Sequence, residues 1–387
     1  MGMLSGVRVL DLSAVGPATR CTRVLADYGA DVVKVLAPRA TGHQLAFHAY
    51  SGHRGMRRAT IDLRSPAGHA AFLRLAETAD VVVESFRPGV AGRLGVDFAA
   101  VRAVNPPVVY CSTSGYGQEG PYAARAGHDL NYLAIGGFLH TSGRDVDGAP
   151  TLPGATVADI AAGGLHAAAA ILAALFDRER SGEGRYLDVA VTDGVAWMLA
   201  LYVDEYLATG ELPGPGHNIL TGRYACYGIY PTRDRQWLAV AAIEPAFWAN
   251  LCRAIGLDHW IERQMDDDAQ DAIRADLRAV FVTQERDQWV TELADADTCV
   301  APVNDVAEVV DDPQFAARGA VIEAKHPARG SFRQLGPVLA GSTLPAPGSH
   351  GVVELSDPAA TATDLLLAEV GYSSQEIAAL RADGVVA

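Results

Sequence analysis

Short runs of β-branched residues alternate with stretches of helical period through the first third of the chain, a pattern that predicts βα units around a parallel sheet. VRVLDLS (7–13), VVKVLAP (32–38), ATIDL (59–63), DVVVESF (80–86) and PVVYCSTS (107–114) read as strands. Between them 17–28, 66–78 and 97–104 read as helices, the second opening on Ser65-Pro66, a capping serine followed by a proline suited to the first turn. Further on, TVADIAAGGLHAAAAILAALFDRER (156–180) is apolar around most of its circumference and predicts a buried helix closed by the polar turn SGEG. YLDVAVTDG (186–194) predicts another buried strand, and a second helical run over 189–210 leads into the Gly- and Pro-rich stretch ELPGPGHNILTG. From Arg223 the texture changes: YACYGIYPTRDRQWLAVAAI has the form of a hairpin, followed by amphipathic helices at 245–255, 268–281 and 285–296 and a last helix in SSQEIAALRADG.

At 387 residues the chain exceeds what one core supports, so two folding units are expected. A formal charge of −15, from 31 Lys and Arg against 46 Asp and Glu, disfavours a nucleic-acid backbone or an anionic membrane as partner. The five cysteines are widely spaced with no metal-ligand pattern, and no apolar run is long enough to span a bilayer, so a reduced, cytoplasmic protein is expected.

Three acids and a histidine stand out. His128, in AGHDLNYLAIGG, follows a strand and a glycine-containing turn, which places it outside the carboxyl end of a parallel sheet, where open α/β folds bind ligands. It reads either as a base or as a hydrogen-bonded loop residue. Asp129 stands beside it. Asp159 has a local explanation in Thr156-Val-Ala-Asp159, the spacing of a capping box; it equally suits a carboxylate held in place as a general base. Glu244, in AVAAIEPAFW, either needs a buried partner such as a histidine or simply starts a helix with Pro245 in its first turn. Arg39, Arg54, Arg57, Arg58, Arg87 and Arg93 fall at or near strand ends, as a phosphate-rich ligand would require, or are solvated surface. No P-loop and no GxGxxG follows the first strand.

Taken together, GVRVLDLS, LADYGADVVKV, RRATIDLRSPAG, ADVVVESFRPGVAGRLGVD, NPPVVYCSTSGYGQEGPY, GHDLNYLAIGG, SGEGRYLDVAVTDG and IEPAFW resemble the family III CoA transferases, the CaiB/BaiF family. GHDLNYLA and IEPAFW resemble its α-methylacyl-CoA racemase branch. The resemblance implies an α/β fold: a Rossmann-like large domain built from both termini, a smaller α+β domain, and an interlocked homodimer. The corresponding boundaries are 1–190 for the first part of the large domain, 191–222 for a helical linker, 223–310 for the small domain, 311–335 for a second linker and 336–387 for the part that completes the large domain.

The same resemblance implies an acyl-CoA substrate with its adenine and phosphates near Arg39, Arg58, Arg87 and Arg93, and no cofactor beyond CoA as part of that substrate. His128 and Asp159 match the racemase acid/base residues, Glu244 matches the acid that hydrogen-bonds the histidine, and Asp129 matches the nucleophilic aspartate of the transferases. Two-base inversion at the α-carbon is thus the expected reaction. CoA transfer through Asp129 and a non-catalytic acyl-CoA-binding protein are the alternatives. The sequence departs from the racemase pattern at Leu220–Tyr230, which loses two acids and gains Arg223, and at Arg20 and Arg23; an anionic acyl group meeting Arg20 or Arg223 is one expectation, solvated surface the other.

Overall fold

A computed structural model describes residues 2–38, 53–327, 329–337, 352–355 and 361–387, and Arg39 lies outside them. The chain divides into two compact units, one of Met1–Phe138, Pro153–Ala200 and Pro313–Ala387, the other of Leu139–Leu152 and Leu201–Asp312.

The first unit is an α/β structure around a parallel sheet. Its strands are β1 (Arg8–Asp11), β2 (Asp31–Leu36), β3 (Arg57–Thr60), β4 (Val81–Glu84), β5 (Val109–Ser114) and β6 (Arg185–Ala190), in the order β3-β2-β1-β4-β5-β6. All five pairings are parallel. Runs such as VVVE in β4 are buried on both faces because helices cover both, which is why they read as continuous rather than alternating. Side chains nevertheless partition by the two-residue period of a strand. Leu10, Val33, Val82 and Tyr110 face Phe72 and Leu75 of α2 (Pro66–Ala76), together with Leu366, Leu367 and Ile377 from the C-terminal segment. Val9, Val32, Val81 and Val109 face Cys21 and Leu25 of α1 (Pro17–Asp27) and Ala167 and Ile171. The C-terminal segment is stitched to this unit by the Asp62 amide, which donates to the Val385 carbonyl at 2.8 Å. Ser65 caps α2 as expected, its Oγ accepting from the Gly68 amide at 3.0 Å.

Lys34 interrupts the apolar run of β2 and is fully buried. Its Nζ donates to Asp11 Oδ2 at 2.8 Å and to Thr19 Oγ1 at 3.1 Å, while Asp11 Oδ1 accepts from the Ser13 amide and hydroxyl at 2.8 and 2.6 Å. Charges leave water only when paired and hydrogen-bonded. This network therefore fixes the loop that leaves β1.

The long apolar stretch is helical, but its first part is a π-helix, Ala158–Leu165, which continues as a regular α-helix from His166 to Ser181. Glycines allow its neighbours to close on it: a Cβ at Gly163 would lie 2.5 Å from Pro17 Cβ, and one at Gly194 2.3 Å from the Ala162 carbonyl oxygen. The expected strand 186–194 ends at Ala190 and turns into a helix, Val191–Met198. There the Thr192 amide and hydroxyl both donate to the Gly115 carbonyl, at 3.1 and 3.0 Å, and Gly194, having no side chain, lets the helix close on Ala162.

In the second unit, Tyr227–Pro231 and Trp237–Ala241 form the expected antiparallel hairpin, with Val300–Pro302 added beside the latter strand. Helices Pro245–Ala254, Gln270–Phe281 and Arg286–Leu293 lie close to the expected positions and enclose a core that includes Trp248, Leu277, Phe281 and Trp289.

Candidate active site

A cavity of 360 Å³ opens at the carboxyl ends of β1, β4 and β5. The strand order reverses between β1 and β4, so the cavity occupies the place where crossover helices diverge to opposite faces and leave a crevice. Its walls come from the loop Ala14–Pro17, from Ser85 and Phe86, from Thr113–Gly115, and from Gly127, His128, Tyr132 and Asp159.

His128 is exposed and stands immediately before the short helix Asp129–Ile135, in extended conformation (φ −130, ψ 176). Its amide donates to Asn131 Oδ1 at 3.0 Å, which anchors the turn and leaves the imidazole at the cavity wall. Tyr132 secures the turn from the other side. Its hydroxyl donates to the Gly127 carbonyl at 2.5 Å, and its ring occupies the space a side chain at Gly115 or Gly127 would need, at 2.3 and 2.6 Å. Burial, reinforced by the charge of Asp159, pushes the phenol up to about 12, so it remains a donor at neutral pH. Tyr132 was not singled out in the sequence, although the glycines at 115 and 127 were the signal that an aromatic ring passes between them.

Asp159 is half-buried in the first turn of the π-helix and lines the same cavity as His128. The capping box expected from Thr156 does not form: no side chain of the preceding turn caps this helix. Instead the Asp159 amide donates to Asp129 Oδ1 at 2.8 Å, a bond between residues 30 positions apart. Asp129 thus supplies from another helix the acceptor that local spacing assigned to Thr156. Burial first, and then the negative charge of Asp129, raise the Asp159 carboxyl to about 6, partly opposed by Arg20 and His128. A carboxyl in that range exchanges protons readily near neutrality. Asp129 itself is half-buried and does not contribute to the cavity wall.

Glu244 belongs to the second unit, where it is exposed and precedes Pro245 at the start of its helix; its backbone carbonyl accepts from the Trp248 amide at 3.0 Å, but its side chain does not cap the helix. The expectation of a buried acid is corrected to that extent: the proline fixes the helix start and leaves the carboxylate outside the core of its own unit.

The arginines divide. Arg54 and Arg57 are engaged structurally, Arg54 with Asp27 at 2.8 Å and Arg57 with Asp31 at 2.9 Å and Glu369 at 2.7 Å. Arg58 is buried inside β3 rather than at its end, with Nη2 2.9 Å from His53 Nδ1. Arg87 and Arg93 are exposed on the loop and short helix after β4; the Arg93 guanidinium comes within 3.3 Å of where a Cβ at Gly89 would be, and Arg87 acts by its charge on Tyr132. Arg23 bonds Asp27 at 3.0 and 3.1 Å. Arg223, in the second unit, forms a two-pronged pair with Asp267 at 3.0 and 2.9 Å, so it is not the open cation expected for an acyl anion.

The sequence profile of CoA-transferase family III matches residues 4–351. The chain is 34% identical over 386 residues to the α-methylacyl-CoA racemase of Homo sapiens, covering 99% of this chain and 97% of that protein. It is 33% identical over 341 residues to the succinate–glutarate CoA-transferase of Agrobacterium fabrum, covering 82% and 84% respectively. Among solved structures, a CaiB/BaiF family protein from Brucella suis superposes with a TM-score of 0.80 at 29% identity, over 95% of this chain and 99% of that one.

Proposed function

The chain belongs to CoA-transferase family III, and from that membership we propose that it is an acyl-CoA racemase or epimerase acting at the α-carbon of a 2-methylacyl-CoA or related thioester. The observation that carries this reading is that His128 and Asp159 line one cavity, whereas Asp129 stands behind its wall with Oδ1 committed to the Asp159 amide.

Inversion needs two groups facing one carbon. One removes the α-proton while the C–H electron pair moves into the carbonyl, giving an enolate. The other returns a proton to the opposite face, and no electrons are gained or lost overall. Asp159, held near pH 6, serves one face and His128 the other. The enolate oxygen requires a donor. The amide of Asp129, at a helix start where N–H groups have no intrahelical acceptor, is the donor we assign to it. Arg58, Arg87 and Arg93 are assigned to CoA. The working form is a homodimer: Phe176 is 66% exposed in the single chain and Trp197, Leu201 and Leu207 are each 74% exposed, more apolar surface than a monomer ordinarily leaves in water.

The test is α-proton exchange. Incubating the enzyme with a 2-methylacyl-CoA in heavy water should incorporate deuterium at the α-carbon, and His128→Ala should abolish incorporation while acyl-CoA binding persists. No incorporation by the wild-type enzyme across a broad panel of acyl-CoA thioesters refutes the proposal.

CoA transfer is the second reading, favoured by the likeness to a succinate–glutarate CoA-transferase. There the Asp129 carboxylate would attack the thioester carbonyl and expel CoA thiolate, which then attacks the Asp129 carbonyl of the mixed anhydride, releasing the donor acid as its carboxylate and leaving Asp129 as a CoA thioester; the acceptor carboxylate reverses these steps and leaves with CoA. A hydroxylamine-sensitive adduct on Asp129 during turnover would establish it in place of racemisation.

A further inference from the structure

The two arginines of α1 differ in a way that bears on the substrate. Arg23 is held by Asp27, one turn further along the helix. Arg20 is half-buried, yet its guanidinium makes no hydrogen bond or ion pair with any described residue. It is also fixed close to the candidate chemistry. Pro17 and Arg20 share a face of α1, because residues three apart do. Pro17 lines the cavity and packs on Gly163; one position further, a Cβ at Gly164 would lie 2.6 Å from Arg20 Cβ and 3.0 Å from the Asp159 carbonyl oxygen. Arg20 therefore stands on the turn of π-helix that carries Asp159, and the two side chains attract each other by charge without closing an ion pair.

A half-buried guanidinium whose five donors meet no described residue can receive a ligand without first giving up a protein partner. Asp159 cannot be a permanent partner if it is to exchange protons with a substrate. An anion brought in by the substrate suits both residues, since a carboxylate on the acyl chain would engage Arg20 and leave Asp159 free. It would also offset the repulsion that a second negative charge on the acyl group meets from Asp129, Asp159 and a chain of net charge −15.

We propose that Arg20 is a specificity-determining residue that receives a carboxylate carried on the acyl group, so that the preferred ligand is the CoA thioester of a dicarboxylic acid. This rests on the acyl-CoA reading of the cavity. It is independent of whether racemisation or CoA transfer follows.

The test uses unreactive thioether analogues of CoA, one ending in a carboxylate and its isostere ending in a carboxamide, titrated into the full-length protein by calorimetry. Wild type should bind the carboxylate about 10- to 100-fold more tightly, as a charge-assisted bidentate contact allows. Arg20→Met should bring the two affinities together without changing that for the carboxamide, and Arg20→Lys should keep part of the preference. Equal affinities in the wild type, a preference that survives Arg20→Met, or a loss shared equally by both ligands would each overturn the assignment. Failure of CoA and of both thioethers to bind to folded protein would instead remove the acyl-CoA reading, and this assignment with it.

Discussion

Replacing Asp159 by asparagine should abolish α-proton exchange and, at neutral pH, make the protein more stable. The folded chain holds the Asp159 proton up to about pH 6, against an ordinary value of 3.8. Below the ordinary value the carboxyl is neutral in both folded and unfolded chains and contributes no difference. As pH rises, the unfolded chain ionises first while the folded chain resists, so stability falls through this window; above about 6 the cost is complete. A difference of about two pH units corresponds to roughly 3 kcal/mol as an upper bound. Because solvent reaches part of this half-buried side chain, about 1 to 2 kcal/mol is the realistic size. Asparagine has the same shape, never ionises, and leaves the bond from the residue 159 amide to Asp129 in place. Urea unfolding of both proteins across the range from about pH 4 to about pH 8 measures this directly. The variant's advantage should be near zero at the acid end, grow through about pH 6 and then level off. An advantage that does not change with pH, or a wild type that gains on the variant as pH rises, would refute the claim that burial and Asp129 hold this proton.

Asp129→Asn keeps an acceptor for the Asp159 amide but removes a charge, so the acid limb of the exchange rate should move down by about one pH unit with little change in unfolding midpoint; Asp129→Ala should in addition lose about 1 kcal/mol of stability. Gly164→Ala places a methyl group 2.6 Å from Arg20 Cβ and 3.0 Å from the Asp159 carbonyl oxygen, so it should cost about 1 to 3 kcal/mol in thermal or urea unfolding and reduce exchange by displacing Asp159. Lys34→Met leaves Asp11 as an unpaired buried charge and should cost about 3 to 5 kcal/mol, whereas the double variant Lys34→Met, Asp11→Leu should recover much of that in the same unfolding assay.

Much of the first unit's framework was legible because it is local. Apolar runs of strand length, Ser65-Pro66 as a helix start and the hairpin around Thr232–Gln236 each follow from neighbouring residues and appear close to where expected, except that the strand expected at 59–63 runs Arg57–Thr60. The motif GHDLNYLAIGG likewise marked His128 and Asp129 as candidates. Boundaries that depend on packing were less legible. Val191 begins a helix because Thr192 finds the Gly115 carbonyl and Gly194 fits against Ala162, contacts that no local propensity encodes. For the same reason the apolar stretch after Thr156 predicted a helix but not that its first eight residues form a π-helix wedged against α1.

What the sequence determined by itself, then, was the parallel α/β framework, the family and the identity of the candidate acids and histidine, since these depend on composition, period and motif. Only the tertiary structure decided their relations. It set Asp129 as the partner of the Asp159 amide in place of Thr156, brought His128 and Asp159 into the lining of one cavity, engaged Arg223 with Asp267, and left Arg20 open. Hydrogen bonding and charge depend on distance in space, and residues 30 or more positions apart acquire that distance only when the chain has folded.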